Sequence, residues 1–140
     1  MKKNTCIIIL SLICFSSYAQ GMKNYLNKEL IANIGSICEE TSDYNPCAGS
    51  MTYLTLLFNK KEVTITEKDI SSCGKEFITE IGKYNWELLI DNKIKIHFNP
   101  EKIKYTQVEN LLLELGSKNI IGKKTHWNNN TSEYIFEYKN

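Results

Sequence analysis

Apolar and polar residues alternate with a period of two through most of the chain beyond Met51. This pattern is typical of strands with one buried and one solvated face, because successive side chains of a strand point to opposite sides. It is clearest over 84–98, where two alternating runs flank the turn Asp91-Asn92 and predict a hairpin. The pattern predicts strands at 51–58, 62–66, 77–81, 84–90, 93–98, 108–115 and 120–121, and a last strand that contains Tyr134, Phe136 and Tyr138.

The region 22–34 fits either of two elements. Leu26, Leu30 and Ile34 recur at helical spacing, and Lys28 and Glu29 are good helix formers. A first strand that starts near Ile31 is the alternative. We favour this strand, with an irregular or short helical entry before it.

The order and length of the predicted elements indicate the fold class. Eight or nine short strands follow one another through tight turns, and no long helix separates them, which argues against parallel βαβ topology. We therefore predict an all-β domain, an antiparallel meander that forms a lipocalin-like barrel or a barrel-like sandwich. Closure into a barrel would remove the sheet edges that otherwise invite aggregation.

The first nineteen residues have the layout of a secretory signal peptide. Lys2 and Lys3 precede the apolar run 7–15, and Ala19 completes a small-residue cleavage site. We expect cleavage after Ala19, which leaves 20–140 as a single secreted or periplasmic β-rich domain without a transmembrane segment. The apolar run is shorter than the roughly 20 residues that a membrane span needs.

The charge of the chain gives no indication of a polyanionic partner. The formal net charge of +1 becomes slightly negative once Lys2 and Lys3 are removed with the leader. All seventeen basic residues are lysine, so the chain has no arginine, the residue that most often reads guanine and phosphate through two hydrogen bonds. Composition therefore argues against nucleic-acid binding, and the charge balance does not favour binding to an anionic membrane.

Three of the five cysteines, Cys38, Cys47 and Cys73, lie beyond the predicted leader. In an oxidising compartment, the default is one disulfide and one remaining thiol. A hairpin that turns at Asn59-Lys60 would bring Cys47 and Cys73 face to face beyond the ends of its two strands, so we predict a Cys47–Cys73 disulfide. The alternative is Cys38–Cys47, which only needs the intervening loop to double back.

No catalytic or metal-binding motif emerges from the sequence. A zinc site of the three cysteines with His97 or His126 would lack a Cys-x-x-Cys pair. Cys73 beside Lys75 would lack the base that a thiol nucleophile requires. We expect His97 on the polar face of a strand and His126 in an exposed turn. The domain is therefore predicted to be non-enzymatic, with no cofactor.

Aromatic residues on the predicted inner faces are the remaining chemical resource. They fit two interpretations, core packing or the lining of a ligand cavity, since an eight-stranded barrel either fills completely or holds one small ligand. The ligand-binding candidates are Tyr84, Trp86, Phe98, Tyr134 and Phe136.

The order of elements resembles that of small bacterial lipocalin-like secreted domains. The resemblance lies in the strand 53–58, the Val63-Thr64-Ile65 strand, the start Gly82-Lys83-Tyr84-Asn85-Trp86, the strand 92–98 and the closing strand 133–136. The family's Gly-x-Trp signature is absent at Ile34-Gly35-Ser36.

Two functions follow from this reading. The first is binding of a small apolar ligand inside a barrel, which the resemblance implies. The alternative is a protein-interaction or inhibitor module with an envelope or extracellular partner, using surface loops such as 43–47 or 127–131.

Overall fold

Eight antiparallel strands close into a barrel in the computed structural model, which describes residues 21–38 and 49–139. Each strand pairs with the next along the chain, and the last pairs back with the first. The predicted antiparallel meander is confirmed, and it is a closed barrel rather than a sandwich. The strands are β1 (Glu29–Ile37), β2 (Ser50–Phe58), β3 (Glu62–Ser71), β4 (Glu76–Leu88), β5 (Lys93–Ile96), β6 (Leu111–Leu115), β7 (Ile120–Thr125) and β8 (Thr131–Tyr138).

One long strand, β4, replaces the two that the sequence predicts at 77–81 and 84–90. The β3–β4 register shifts between Ile65 and Thr66, opposite Gly82. A Cβ atom at Gly82 would lie 2.7 Å from the Tyr84 hydroxyl oxygen, so the tyrosine can fold back over this position only because it is glycine. A glycine with a bulge lets a strand bend and continue around a barrel. The chain therefore turns a corner at Gly82 without ending the strand.

A short helix, α1 (Pro100–Ile103), follows β5. Asn99 is its N-cap and accepts a hydrogen bond from the Glu101 amide at 3.1 Å, while Pro100 takes the first helical position. β5 consequently ends at Ile96, and Phe98 lies in the connection rather than in the strand predicted at 93–98. No helix in the described part of the chain is long and apolar enough to cross a membrane.

The two ends of the barrel differ. The lower end is where β2, β4, β6 and β8 finish, and the upper end is where they begin. Most of the core lies in the lower half, where a fully buried Leu, Ile or Phe side chain contributes about 1.5–3 kcal/mol. The side chains with no accessible surface there are Leu30, Leu54, Leu56, Phe58, Val63, Ile65, Ile120 and Phe136. Val108 is equally buried, but it lies in the connection between β5 and β6 at the upper end.

The segment before β1 closes the lower end. Residues 21–23 are helical and a turn follows them. The Met22 side chain in the helical residues and the Tyr25 side chain in the turn are both buried. The Tyr25 ring stacks on the Tyr138 ring with centroids 5.7 Å apart, and the Asn27 amide donates to the Phe58 carbonyl at 2.7 Å. The helical entry and the strand at 22–34 are thus both present, one after the other.

A glycine also accommodates the fully buried ring of Phe136. A Cβ atom at Gly122 would lie 2.8 Å from Phe136 Cε2 and 3.1 Å from Leu111 Cδ1. Because ring and glycine sit on neighbouring strands, the missing side chain of β7 gives the space that the β8 phenyl ring occupies. The Phe136 ring therefore packs directly on the backbone of β7 at this point.

The described cysteines have different environments. Cys38 is exposed and has a free thiol, so the structure does not support the Cys38–Cys47 alternative. Cys73 is disulfide-bonded. Ser50 is opposite Ser71, and the Ser72 amide donates to the Gly49 carbonyl at 2.8 Å, so the chain at residue 49 runs beside Cys73. Cys47 and the predicted leader, 1–19, lie outside the described residues, and the pairing of Cys47 with Cys73 stays a prediction.

Peptide mapping of the non-reduced protein tests this pairing. Cleavage after lysine leaves Cys38 and Cys47 together in 29–60, and further cleavage after Glu39 or Glu40 separates them. We expect a disulfide-linked fragment that contains Cys47 and Cys73, with Cys38 alkylated by iodoacetamide, because a disulfide needs Cα atoms within about 7 Å. A fragment that links Cys38 to either other cysteine would contradict the prediction.

Candidate functional site

Acidic side chains lie on the inner face of β3 in the upper half of the barrel. The register pairs Leu54 with Glu67 and Thr52 with Asp69, and directly paired residues project to the same side of a sheet. Since Leu54 is fully buried in the core, Glu67 and Asp69 face the interior. The Thr52 hydroxyl donates to Asp69 Oδ1 at 2.6 Å. The apolar core therefore ends below a layer that carries carboxylates.

A lysine faces these carboxylates from the other side of the barrel. Lys124 has the same orientation on β7 as Ile120 and Gly122, which are buried. Its ammonium group donates to the Gln107 carbonyl at 3.1 Å and to Gln107 Oε1 at 3.0 Å, and it reaches the Thr106 carbonyl at 3.4 Å. Lys124 therefore fastens the β5–β6 connection to the wall of the barrel.

The inner face of the upper half is accessible to water. Thr79 pairs with Glu67 and Phe77 pairs with Asp69, so both project to the same side as the carboxylates. Thr79 is exposed, and 53 % of Phe77 is accessible, whereas the core side chains below them have almost no accessible surface. The barrel thus combines a packed apolar lower half with an upper half that solvent reaches.

The electrostatics of the upper half follow from partial burial. Desolvation raises the pKa of the Glu67 carboxyl, Asp69 raises it further, and Lys124 opposes the shift. Desolvation lowers the pKa of the Lys124 ammonium, against the attraction of Glu109 and Glu67. Both charged forms are therefore less favourable here than in water. Perturbed titration of this kind, beside a cleft, is common at sites retained for function.

A cleft of about 430 Å³ opens beside Lys124 at the upper end. We call it the aromatic cleft, because the β5–β6 connection contributes Tyr105 and the β7–β8 turn contributes Trp127. The two side chains are 87 % and 96 % accessible. The lining residues are Tyr105, Thr106, Gln107, Glu109, Asn110, Lys124, Thr125, His126 and Trp127.

The two histidines differ in environment. His97 is half-exposed on the barrel surface, with Nε2 at 3.3 Å from Glu87 Oε1, as the polar face of the predicted strand requires. His126 is half-buried rather than fully exposed, and its Nε2 lies 2.8 Å from Ser132 Oγ. Because Ser132 pairs with Lys124, this hydrogen bond ties the β7–β8 turn to the same inner face.

The aromatic residues predicted to bind a ligand lie together, and their contacts are with the core. Tyr84 meets Phe98 edge to face at 4.9 Å between centroids, and its hydroxyl donates to the Ile81 carbonyl at 3.2 Å. Trp86 meets Phe58 in the same way at 5.3 Å and donates from Nε1 to the Asn59 carbonyl at 3.0 Å. Their polar atoms therefore already have partners inside the protein.

Tyr134 and Phe136 complete this aromatic set from β8. Phe136 has no accessible surface, and Tyr134 is buried beside it on the inner face. Tyr84, Tyr134 and Phe136 belong to the core, and the partly buried Trp86 and Phe98 pack against it.

The alternatives of a metal site and of a nucleophilic Cys73 gain no support from the residues that the structure describes. No group of three His, Cys, Asp or Glu side chains there could hold a metal ion. Cys73 is bonded in a disulfide rather than present as a nucleophilic thiol.

The polar residues of the upper half continue the alternating pattern of their strands beyond the predicted strand ends. Glu67 and Asp69 continue the alternation set by Val63 and Ile65, so a strand extended to Ser71 places them inside. Lys124 stands in the same relation to Ile120 and Gly122. Tyr105 had no such signal, because it lies in an irregular connection.

Comparison with protein-family models, with curated proteins and with solved structures finds no match to this chain. The candidate site therefore rests on its own geometry.

Replacing Glu67 tests the electrostatic reading of the upper half. A carboxyl whose pKa is raised in the folded state disfavours folding once it ionises, so stability falls as pH rises above its ordinary value of 4.5. We expect Glu67→Gln to unfold at higher urea concentration than the wild type at pH 7, and the difference to vanish at a pH well below 4.5. Glu133→Gln, on the exposed face of β8, is the control and should show a smaller change. A Glu67→Gln protein less stable than wild type at pH 7 would contradict this account.

Proposed function

We propose that this chain is a secreted or periplasmic, non-enzymatic binding domain that takes a small ligand at the upper end of its barrel. The observation that carries the proposal is the inner face of the upper half. It presents two carboxylates and one ammonium group, accessible to water, above a filled apolar core. Burying charged groups costs free energy, and a binding site is a reason to keep them.

The packing of the lower half bears on the character of the ligand. Phe58 and Phe136 are fully buried, Tyr84 contacts Phe98, and Trp86 contacts Phe58. The proposed ligand therefore lies above these rings instead of among them. It is amphipathic rather than wholly apolar, with polar groups that meet Glu67, Asp69 and Lys124.

The lipocalin-like resemblance is consistent with this proposal. Barrels of eight strands are just wide enough to hold one small ligand. In this chain, the segment 21–27 contacts the lower end, so the route for a ligand is the upper end, where the strands β2, β4, β6 and β8 begin. Export would follow from the predicted leader.

Contact with another protein is the second candidate function. Trp127 is 96 % accessible in the loop 127–131, and tryptophan is among the residues most enriched at the centres of protein interfaces. The other loop considered, 43–47, lies outside the described residues.

Native mass spectrometry tests the ligand proposal. Protein purified without denaturation from its natural source should carry a non-covalent added mass. The double variant Glu67→Gln/Lys124→Met should lose it, because both polar contacts inside the barrel are removed. Leu112→Ala, on the exposed outer face of β6, is the matched control and should retain it. The polypeptide mass in the same spectrum should equal that of a chain that starts at Gln20. A bare polypeptide for the wild type, or an added mass that persists in the double variant, would contradict the proposal.

A further inference from the structure

The aromatic cleft presents two rings that the fold itself does not use. Tyr105 and Trp127 are the most accessible aromatic side chains in the described part of the chain, at 87 % and 96 %. Both line the cleft, Tyr105 from the β5–β6 connection and Trp127 from the β7–β8 turn. Neither side chain contributes to the core, so packing does not explain why aromatic residues stand at these two positions.

Tyr105 is held in an unfavourable backbone conformation. Its φ is 65°, in the left-handed region that a bulky residue rarely adopts. The Tyr105 amide donates to Glu109 Oε2 at 2.7 Å, and this bond fixes the residue in place. Backbone strain of this kind persists where surrounding contacts enforce it, and it clusters at ligand sites.

Both lining segments are fixed to the barrel before any ligand arrives. Lys124 binds the β5–β6 connection through the Gln107 carbonyl and side chain, and the Thr125 amide donates to the Asn110 carbonyl at 3.2 Å. The β7–β8 turn is closed by the His126 amide, which donates to the Asn130 carbonyl at 2.8 Å. A cleft ordered in this way loses little conformational entropy on binding.

The lining of the cleft offers hydrogen bonds without a strong net charge. Glu109 and Lys124 carry opposite charges, and the other polar lining groups are amides, hydroxyls and one imidazole, from Thr106, Gln107, Asn110, Thr125 and His126. The ammonium of Lys104 lies 5.0 Å from the centroid of the Tyr105 ring and occupies one face of it. The cleft thus suits a ligand that combines flat apolar faces with many hydroxyl groups.

We propose that the aromatic cleft binds a saccharide chain, with sugar rings packed on Tyr105 and Trp127. Axial C–H groups of a pyranose carry partial positive charge and pack against the negative face of an aromatic ring. The sugar hydroxyls exchange hydrogen bonds with Gln107, Asn110 and Glu109. This inference rests on the proposed function and extends it from the barrel interior to the adjoining aromatic cleft, which Lys124 also lines.

The surroundings of the cleft favour a saccharide over a protein partner. Lysine and glutamate are depleted at the cores of protein interfaces. Here Lys104 adjoins Tyr105. Lys123 and Glu133 are exposed cross-strand neighbours on the outer face of β7 and β8, below the turn that carries Trp127. The rings also flank a concave cleft rather than a continuous apolar patch.

A titration followed by amide NMR tests the inference. The probes are maltotriose, cellotriose and triacetylchitotriose, added separately to the ¹⁵N-labelled domain at millimolar concentration. We expect at least one of them to shift the amides of Gln107, Asn110 and Thr125 in a saturable manner. Tyr105→Ala and Trp127→Ala should each weaken that binding at least about tenfold, as loss of a central aromatic contact does. Trp127→Phe should retain most of the affinity, and Leu112→Ala should leave it unchanged.

Three results would overturn the inference. They are no response to any of the three trisaccharides, shifts located away from the cleft, and affinities of the two alanine variants within twofold of the wild type. If the native protein nevertheless carries an added mass that Glu67→Gln/Lys124→Met removes, the binding function stands and only the saccharide assignment fails. Spectral dispersion of each variant shows in the same experiment that it is folded.

Discussion

The inside of a closed eight-stranded barrel has to be filled, and the rest of this structure depends on how the chain does so. Closure leaves an interior just wide enough for side chains to pack across it. In the lower half, the chain meets that requirement with fully buried rings such as Phe58 and Phe136. Gly82 and Gly122 give the space that Tyr84 and Phe136 need. In the upper half, the inner positions carry Glu67, Asp69 and Lys124 instead.

This division sets both the stability and the direction of access. The apolar half, closed from below by Met22 and Tyr25, supplies the packing that holds the barrel together. In the polar half, partial burial raises the pKa of Glu67 and lowers that of Lys124, so both charged forms are less favourable there than in water. Lys124 also belongs to both the interior and the aromatic cleft, so one side chain connects the inner charges with the exposed rings.

Sequence alone predicted most of the fold, because one-sided burial imposes a period of two that the residues display. It did not predict that β4 continues through Gly82, since a glycine ends a strand pattern as readily as it bends one. It assigned Tyr84, Trp86, Tyr134 and Phe136 to the inner face correctly, whereas Phe98 lies beyond the end of β5. Alternation cannot distinguish a ring that packs from one that lines a cavity. Tyr105 and the contacts of Lys124 depend on a connection that tertiary structure holds. No local pattern encodes such a connection.

The upper half of the barrel interior is open to water, while the lower half is dry. Magnetisation transfer from water to assigned side chains measures this directly by NMR. We predict transfer to inner-face Thr79 and Ser132, and none to Leu56 or Phe136. Equal absence of transfer at all four positions would show an interior packed throughout, with no room for a ligand, and would contradict this division of the barrel.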